Sequence, residues 1–133
     1  MSKRRVLLVE DEAHVLKVTK LRLEHEGYEV LDAADGERAV ERANAELPIH
    51  LILLDIKLPR LDGYEVCRRL KAKSSTSHIP ILLFTASEAQ AARLTDQCIE
   101  VGANDWIKKP FRTKELMDKI HRLIAEEEGH SHG

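Results

Sequence analysis

The chain has 133 residues, with 21 Lys plus Arg against 23 Asp plus Glu and a formal net charge of -2, a length that suits one self-sufficient core and a balance that supplies no basic stripe for nucleic acid. Hydrophobic residues at 43% and charged residues at 33% exclude a disordered or fibrous class. No apolar run approaches the ~20 residues of a membrane helix, and the basic N-terminus leads into no signal-peptide core, so a cytoplasmic protein without membrane insertion or direct nucleic-acid binding is expected.

From the N-terminus onward, short apolar runs alternate with stretches of helical period, the pattern of a parallel sheet covered on both faces. The first run, Arg5–Val9, predicts a strand ending at Glu10 and Asp11, after which Leu16 and Leu23 mark an amphipathic helix. A second strand is expected over Glu29–Ala33, followed by a helix with Ala39, Val40 and Ala43 on one side. Residues 51–54 form the third strand, stopping at Asp55, and Val66, Cys67 and Leu70 give the third helix its apolar face. The fourth strand, Ile81–Thr85, leads to a fourth helix with Leu94, Cys98 and Val101 on one face. Ser87 and Gln90 have the spacing of a capping box at its start. A fifth strand over 106–108 precedes Lys109, and Met117, Ile120, Leu123 and Ile124 form the stripe of the fifth and last helix.

Gly27, Gly36, Gly63 and Gly102 fall at helix ends or starts, where the chain turns sharply. Residues 1–128 are expected to form one domain with no attached output domain. Residues 129–133, Gly-His-Ser-His-Gly, are expected to be a disordered tail without function. Cys67 and Cys98 lack the CxxC spacing of a zinc or redox site and read as small buried hydrophobes.

In an open parallel sheet, ligands bind beyond the carboxyl ends of the strands. Those ends present Glu10 and Asp11, then Asp55, Thr85 and Lys109. Crowded carboxylates raise one another's pKa unless a cation offsets their charge. An all-oxygen set calls for a hard divalent ion, magnesium or manganese, since softer metals would want His or Cys; His14, just past the cluster, reads as a surface residue. With the ion present, an ionised Asp55 can attack phosphorus and hold the group as an aspartyl-phosphate. Lys109 is suited to neutralise a phosphoryl oxygen, and Thr85 to donate a hydrogen bond to another. Taken singly, Asp11 could merely cap the first helix, and Thr85 and Lys109 could be ordinary surface residues. Their joint order and spacing argue for chemistry.

The chain resembles response-regulator receiver domains, the relatives of the stand-alone chemotaxis regulator, from Arg4 to about Glu127. The resemblance lies in Val-Glu-Asp-Glu at 9–12, Leu-Leu-Asp-Ile-Lys-Leu-Pro-Arg-Leu-Asp-Gly at 53–63, Phe-Thr-Ala at 84–86 and Lys-Lys-Pro-Phe at 108–111. It implies an α/β, flavodoxin-like (βα)5 fold with helices on both faces of a five-stranded parallel sheet ordered 2-1-3-4-5. It further implies that Asp55 is the phosphoacceptor, that Asp11 ligates the metal directly and Glu10 through water, and that the Lys57 backbone carbonyl completes the shell. Lys109 would contact the phosphoryl group, Thr85 would sense it, and the Lys109–Pro110 peptide would be cis, with Pro59 and Gly63 shaping the loop after the third strand. The protein would be a signalling phosphoacceptor that catalyses only its own phosphotransfer and dephosphorylation. Its donor would be a sensor histidine kinase, a phosphotransfer protein or a small phosphodonor, and its output a downstream protein bound on the face of the fourth helix, fifth strand and fifth helix. Glu10 stands where many relatives have Asp, and Trp106 where most have Tyr or Phe. Lys57 and Ser87 occupy two variable flanking positions. Trp106 either turns inward when Thr85 moves or stays packed at the rim.

Three other functions share parts of this pattern. A haloacid-dehalogenase-type phosphatase wants a second Asp two residues after its nucleophile, where this chain has Lys57. A flavin-binding electron carrier needs a phosphate-cradling loop after the first strand, where Glu10, Asp11 and Glu12 would repel phosphate. A receiver-like adaptor that has lost phosphorylation would not need Asp11, Asp55, Thr85 and Lys109 together.

Overall fold

The computed structural model describes residues 3–130. In chain order the elements are β1 (Arg5–Val9), α1 (Ala13–His25), β2 (Glu29–Ala33), α2 (Gly36–Ala45), β3 (Leu51–Asp55), α3 (Gly63–Lys71), β4 (Ile81–Thr85), α4 (Glu88–Ala91), α5 (Leu94–Val101), β5 (Asp105–Lys108) and α6 (Thr113–His130). The five strands make one sheet in the order β2-β1-β3-β4-β5 with every neighbouring pair parallel. This is the flavodoxin-like order that the resemblance implied.

Alternation along the strands sorts the core into two layers. Leu7, Val9, Ile52, Leu54, Ile81 and Leu83 face α2, α3 and α5, meeting Ala39, Ala43, Val66, Cys67, Leu70, Leu94, Cys98 and Val101. Val6, Leu8, Leu51, Leu53, Leu82, Phe84 and Ile107 face the other way, toward Leu23 of α1 and Leu116, Met117, Ile120, Leu123 and Ile124 of α6. The middle strands are buried on both faces, which is why they read as unbroken apolar runs. Cys67 and Cys98 lie inside the first layer, where burial pushes their thiols up to about 12 and about 11.

Helix starts follow the capping chemistry. The side chains of Asp35, Asp62 and Ser87 accept from the backbone amides of Arg38, Glu65 and Gln90. Gly102 ends α5 in the left-handed region at φ 83°.

Several boundaries differ from the sequence expectation. β3 and β5 each extend one residue further, to include Asp55 and Asp105. The expected fourth helix is two helices, broken where Arg93 N donates to Gln90 O and Arg93 takes φ -117°. No residue of α4 is buried, so no apolar stripe holds that turn in line with α5. The last helix runs to His130, past the boundary expected at residue 128. Residues 131–133 of the expected tail lie outside the described residues.

Candidate functional site

Parallel register brings the carboxyl ends of β1, β3, β4 and β5 together, with Val9 beside Leu54, Asp55 beside Phe84, and Thr85 beside Lys108. The residues just beyond these ends therefore converge. Asp11, Glu12, Asp55, Lys57, Thr85, Ala86, Ser87 and Lys109 line one cleft of about 470 Å³. Glu10 is not among them; it is wholly buried at the end of β1.

Strand parity explains who faces whom. Glu10, Asp55 and Lys109 continue the alternation of the layer that packs on α1 and α6, whereas Thr85 continues the opposite one. Accordingly the Lys109 ammonium lies 3.0 Å and 3.3 Å from the two Glu10 carboxylate oxygens and 3.5 Å from Asp55 Oδ2. It also sits 4.5 Å from the centroid of the Phe84 ring, a cation–π contact beneath the ion pair. The Lys109–Pro110 peptide is cis, as is Leu47–Pro48.

The loop after β3 folds tightly against the site. Gly63 N donates to Ile56 O at 2.8 Å, and Lys57 N donates to Asp55 Oδ1 at 3.3 Å. A Cβ on Gly63 would lie 2.8 Å from Ile56 Cα and inside contact distance of the Asp55 carbonyl, so only glycine lets the loop approach this closely.

Glu10, Asp11 and Asp55 each offer one carboxylate oxygen, and these atoms all lie within 4.8 Å of one another. Burial pushes the Glu10 carboxyl up to about 8, and the hydrogen bond and charge of Asp55 push the same way, while Lys109 pulls it down. This donor set fits a hard divalent cation: all oxygen, acidic, partly open to the cleft and without a His or Cys. Asp11 remains free for such a role, because Glu12 is the N-cap of α1 and no side chain caps that helix.

Thr85 is buried at the end of β4. Its hydroxyl donates to Gln90 Oε1 at 2.9 Å and accepts from Ser87 N at 3.1 Å. The expected capping box is thus half formed. Ser87 Oγ accepts from Gln90 N, but the Gln90 side chain turns to Thr85 instead of reaching back to Ser87 N.

Trp106 is not a cleft residue. Its ring packs half-buried against the layer of α2, α3 and α5, and Nε1 donates to Thr95 Oγ1 at 3.3 Å. The residues that sequence reasoning missed are Phe84, beneath Lys109, and Gln90, as the partner of Thr85. Strand parity could have found the first. No periodic signal marks the second, since Gln90 lies five positions after Thr85 across a loop and a cap.

The family model described as a response regulator receiver domain matches residues 6–121. The "Probable transcriptional regulator ycf27" of Cyanophora paradoxa is 41% identical over 96% of this chain and 51% of its own length. The chain spans about half the length of the curated relatives it matches. Among solved structures, the receiver domain of sensor histidine kinase PA1611 from Pseudomonas aeruginosa PAO1, with a magnesium ion coordinated in its active-site cleft, superimposes with a TM-score of 0.84. It is 35% identical, over 93% of this chain and 99% of that one. A CheY-like response regulator receiver domain protein from Methanospirillum hungatei JF-1 gives a TM-score of 0.87 at 29% identity, over 97% and 99% of the two chains.

Proposed function

This chain belongs to the family of response regulator receiver domains, the signalling phosphoacceptors of two-component systems, and from that premise we propose that Asp55 accepts a phosphoryl group with the help of a divalent metal. The observation that supports this most directly is the Lys109 ammonium 3.5 Å from Asp55 Oδ2 on the wall of an acidic cleft.

A magnesium ion, or manganese in its place, would be held by Asp11 and Asp55, by Glu10 through water and by the Lys57 backbone carbonyl. When bound, it supplies charge neutralisation at the phosphoryl oxygens. A carboxylate oxygen of Asp55 forms the new bond to phosphorus as the bond from phosphorus to the donor's imidazole nitrogen breaks, and the bonding pair leaves with the imidazole. Lys109 is near enough to Asp55 to balance charge on the incoming group, and Thr85 supplies a hydroxyl proton from the neighbouring strand. No separate general base is required, because an ionised carboxylate is already the nucleophile.

The donor in this reading is a sensor histidine kinase or phosphotransfer protein, or a small phosphodonor, and the setting is the cytoplasm. Among the described residues no helix is long and apolar enough to cross a membrane. The output is a change in protein binding on the face of α4, α5, β5 and α6. There Glu88 pairs with Lys108, Trp106 bonds Thr95, and Ile99 is 78% exposed.

Intact-mass analysis after incubation with acetyl phosphate and magnesium tests the assignment. A single phosphoryl adduct is expected, absent in Asp55→Asn and in excess chelator. An equal yield under either condition would place the chemistry elsewhere.

A further inference from the structure

We propose that Gln90 is a positioning residue that holds the Thr85 hydroxyl away from the phosphoryl group, so that Thr85 engages that group only by giving up its bond to Gln90. This inference rests on the phosphoacceptor reading of Asp55 and adds a residue to it.

The argument starts from the hydroxyl's inventory. A threonine hydroxyl has one proton to donate and lone pairs to accept with. At Thr85 that proton goes to Gln90 Oε1 at 2.9 Å, while a lone pair takes the Ser87 amide at 3.1 Å. Ser87 Oγ in turn accepts from Gln90 N at 3.2 Å. The three residues thus close a ring of hydrogen bonds between the end of β4 and the first turn of α4. A phosphoryl oxygen on Asp55 accepts but cannot donate. It competes with Gln90 Oε1 for the single proton, and the two bonds exclude each other.

The surroundings make the exchange cheap and directional. Thr85 is almost wholly buried, so leaving its proton without an acceptor would be costly, and passing it from Gln90 to a phosphoryl oxygen keeps it paired. Gln90 is only half-buried, and α4 buries no residue and is separated from α5 by the break at Arg93. Releasing Gln90 therefore frees one short turn without unpacking the core. That turn also carries Glu88, the partner of Lys108 on β5 next to Lys109, so its displacement reaches the strand that supplies the cleft's cation.

Beryllofluoride with magnesium, an aspartyl-phosphate mimic, tests this through titrations read by fluorine NMR of the bound species. Gln90→Leu keeps the size of the side chain and removes the acceptor, so it should bind beryllofluoride about two- to tenfold tighter, the factor that the net loss of one competing hydrogen bond predicts. Gln90→Glu retains an acceptor oxygen and makes the competing bond charge-assisted, so it should bind beryllofluoride less tightly than Gln90→Leu. In a Thr85→Ala background the Leu and Gln forms should bind alike, because the proton under competition is gone. Equal midpoints for wild type and Gln90→Leu, or a gain in Gln90→Leu that persists in the Thr85→Ala background, would overturn the role of Gln90. Absence of any beryllofluoride binding by the wild-type chain would instead overturn the reading of Asp55.

Discussion

Lys109 and Glu10, 99 residues apart in the chain, are joined by a hydrogen bond of 3.0 Å, with the Glu10 side chain wholly buried and that of Lys109 partly so. The cation that the proposed mechanism assigns to the phosphoryl group thus already has a partner, and Asp55 lies 3.5 Å away on the same ammonium. Incoming negative charge at Asp55 competes with Glu10 for Lys109, so the titration of Glu10 reports on the state of the site.

The first prediction concerns pH. Folding raises the Glu10 carboxyl from its ordinary 4.5 to about 8, by burial first and then by Asp55, so the folded chain holds a proton that the unfolded chain releases. The stability this contributes is fully present below 4.5 and is lost as the pH rises through about 8. Urea denaturation in chelator should show that decline, and Glu10→Gln should flatten it. Lys109→Ala should cost toward the lower end of roughly 3–5 kcal/mol on the alkaline side, and clearly less in acid where Glu10 is protonated. Magnesium at a hundredfold excess over its Kd should add about 2.7 kcal/mol to the wild type. A Glu10→Gln variant with the same pH slope as wild type would contradict the account.

His50 supplies a slope of opposite sign at the other end of the sheet. Its Nδ1 accepts from Arg5 N at 2.9 Å, and burial, aided by the charge of Arg4, holds the imidazole below its ordinary 6.5. Because the folded chain binds this proton less readily, the contribution is complete above 6.5 and is lost as the pH falls through the lower folded value. Proton NMR of the ring should give a midpoint below 6.5, and His50→Gln should remove that segment of the acid-side slope. A midpoint at or above 6.5 would show that burial and the charge of Arg4 do not hold the ring neutral.

Gly63→Ala should be destabilising where Gly129→Ala is not. The added Cβ at Gly63 meets the backbone of Asp55 and Ile56, which cannot swing aside, whereas nothing lies within 4 Å at Gly129. A loss of about 1–3 kcal/mol is expected for Gly63→Ala, together with weaker magnesium binding as Asp55 shifts. Gly129→Ala should be neutral or slightly stabilising, since alanine is the better helix former. Calorimetry and metal titration on the two variants check both parts, and unaltered magnesium affinity in Gly63→Ala would separate the loop from the site.

Trp106, the single tryptophan of the chain, offers an optical test of the switch. Its indole nitrogen is held at the rim by Thr95. If the ring turns inward when Thr85 moves, beryllofluoride with magnesium will blue-shift the emission and reduce quenching by iodide, and Thr85→Ala will abolish both changes. Unchanged emission with the adduct demonstrably bound would make Trp106 a packing residue and leave the switch to Thr85 and the turn of α4.

Strands, helix faces and the residues at strand ends were legible in the sequence, because covering both faces of a sheet turns its strands into short unbroken apolar runs, separated by helices whose apolar faces recur with a period near 3.6. Those patterns place Glu10, Asp11, Asp55, Thr85 and Lys109 at carboxyl ends, and the topology of a parallel sheet brings carboxyl ends together. Partner choice carries no such period. That Lys109 pairs with buried Glu10 over the Phe84 ring, that Thr85 gives its proton to Gln90, and that the chain breaks at Arg93 before Leu94 were decided only in three dimensions. Each depends on distances and rotamers between segments that local patterning does not relate, and hydrogen bonds reward a partner only within a few tenths of an ångström.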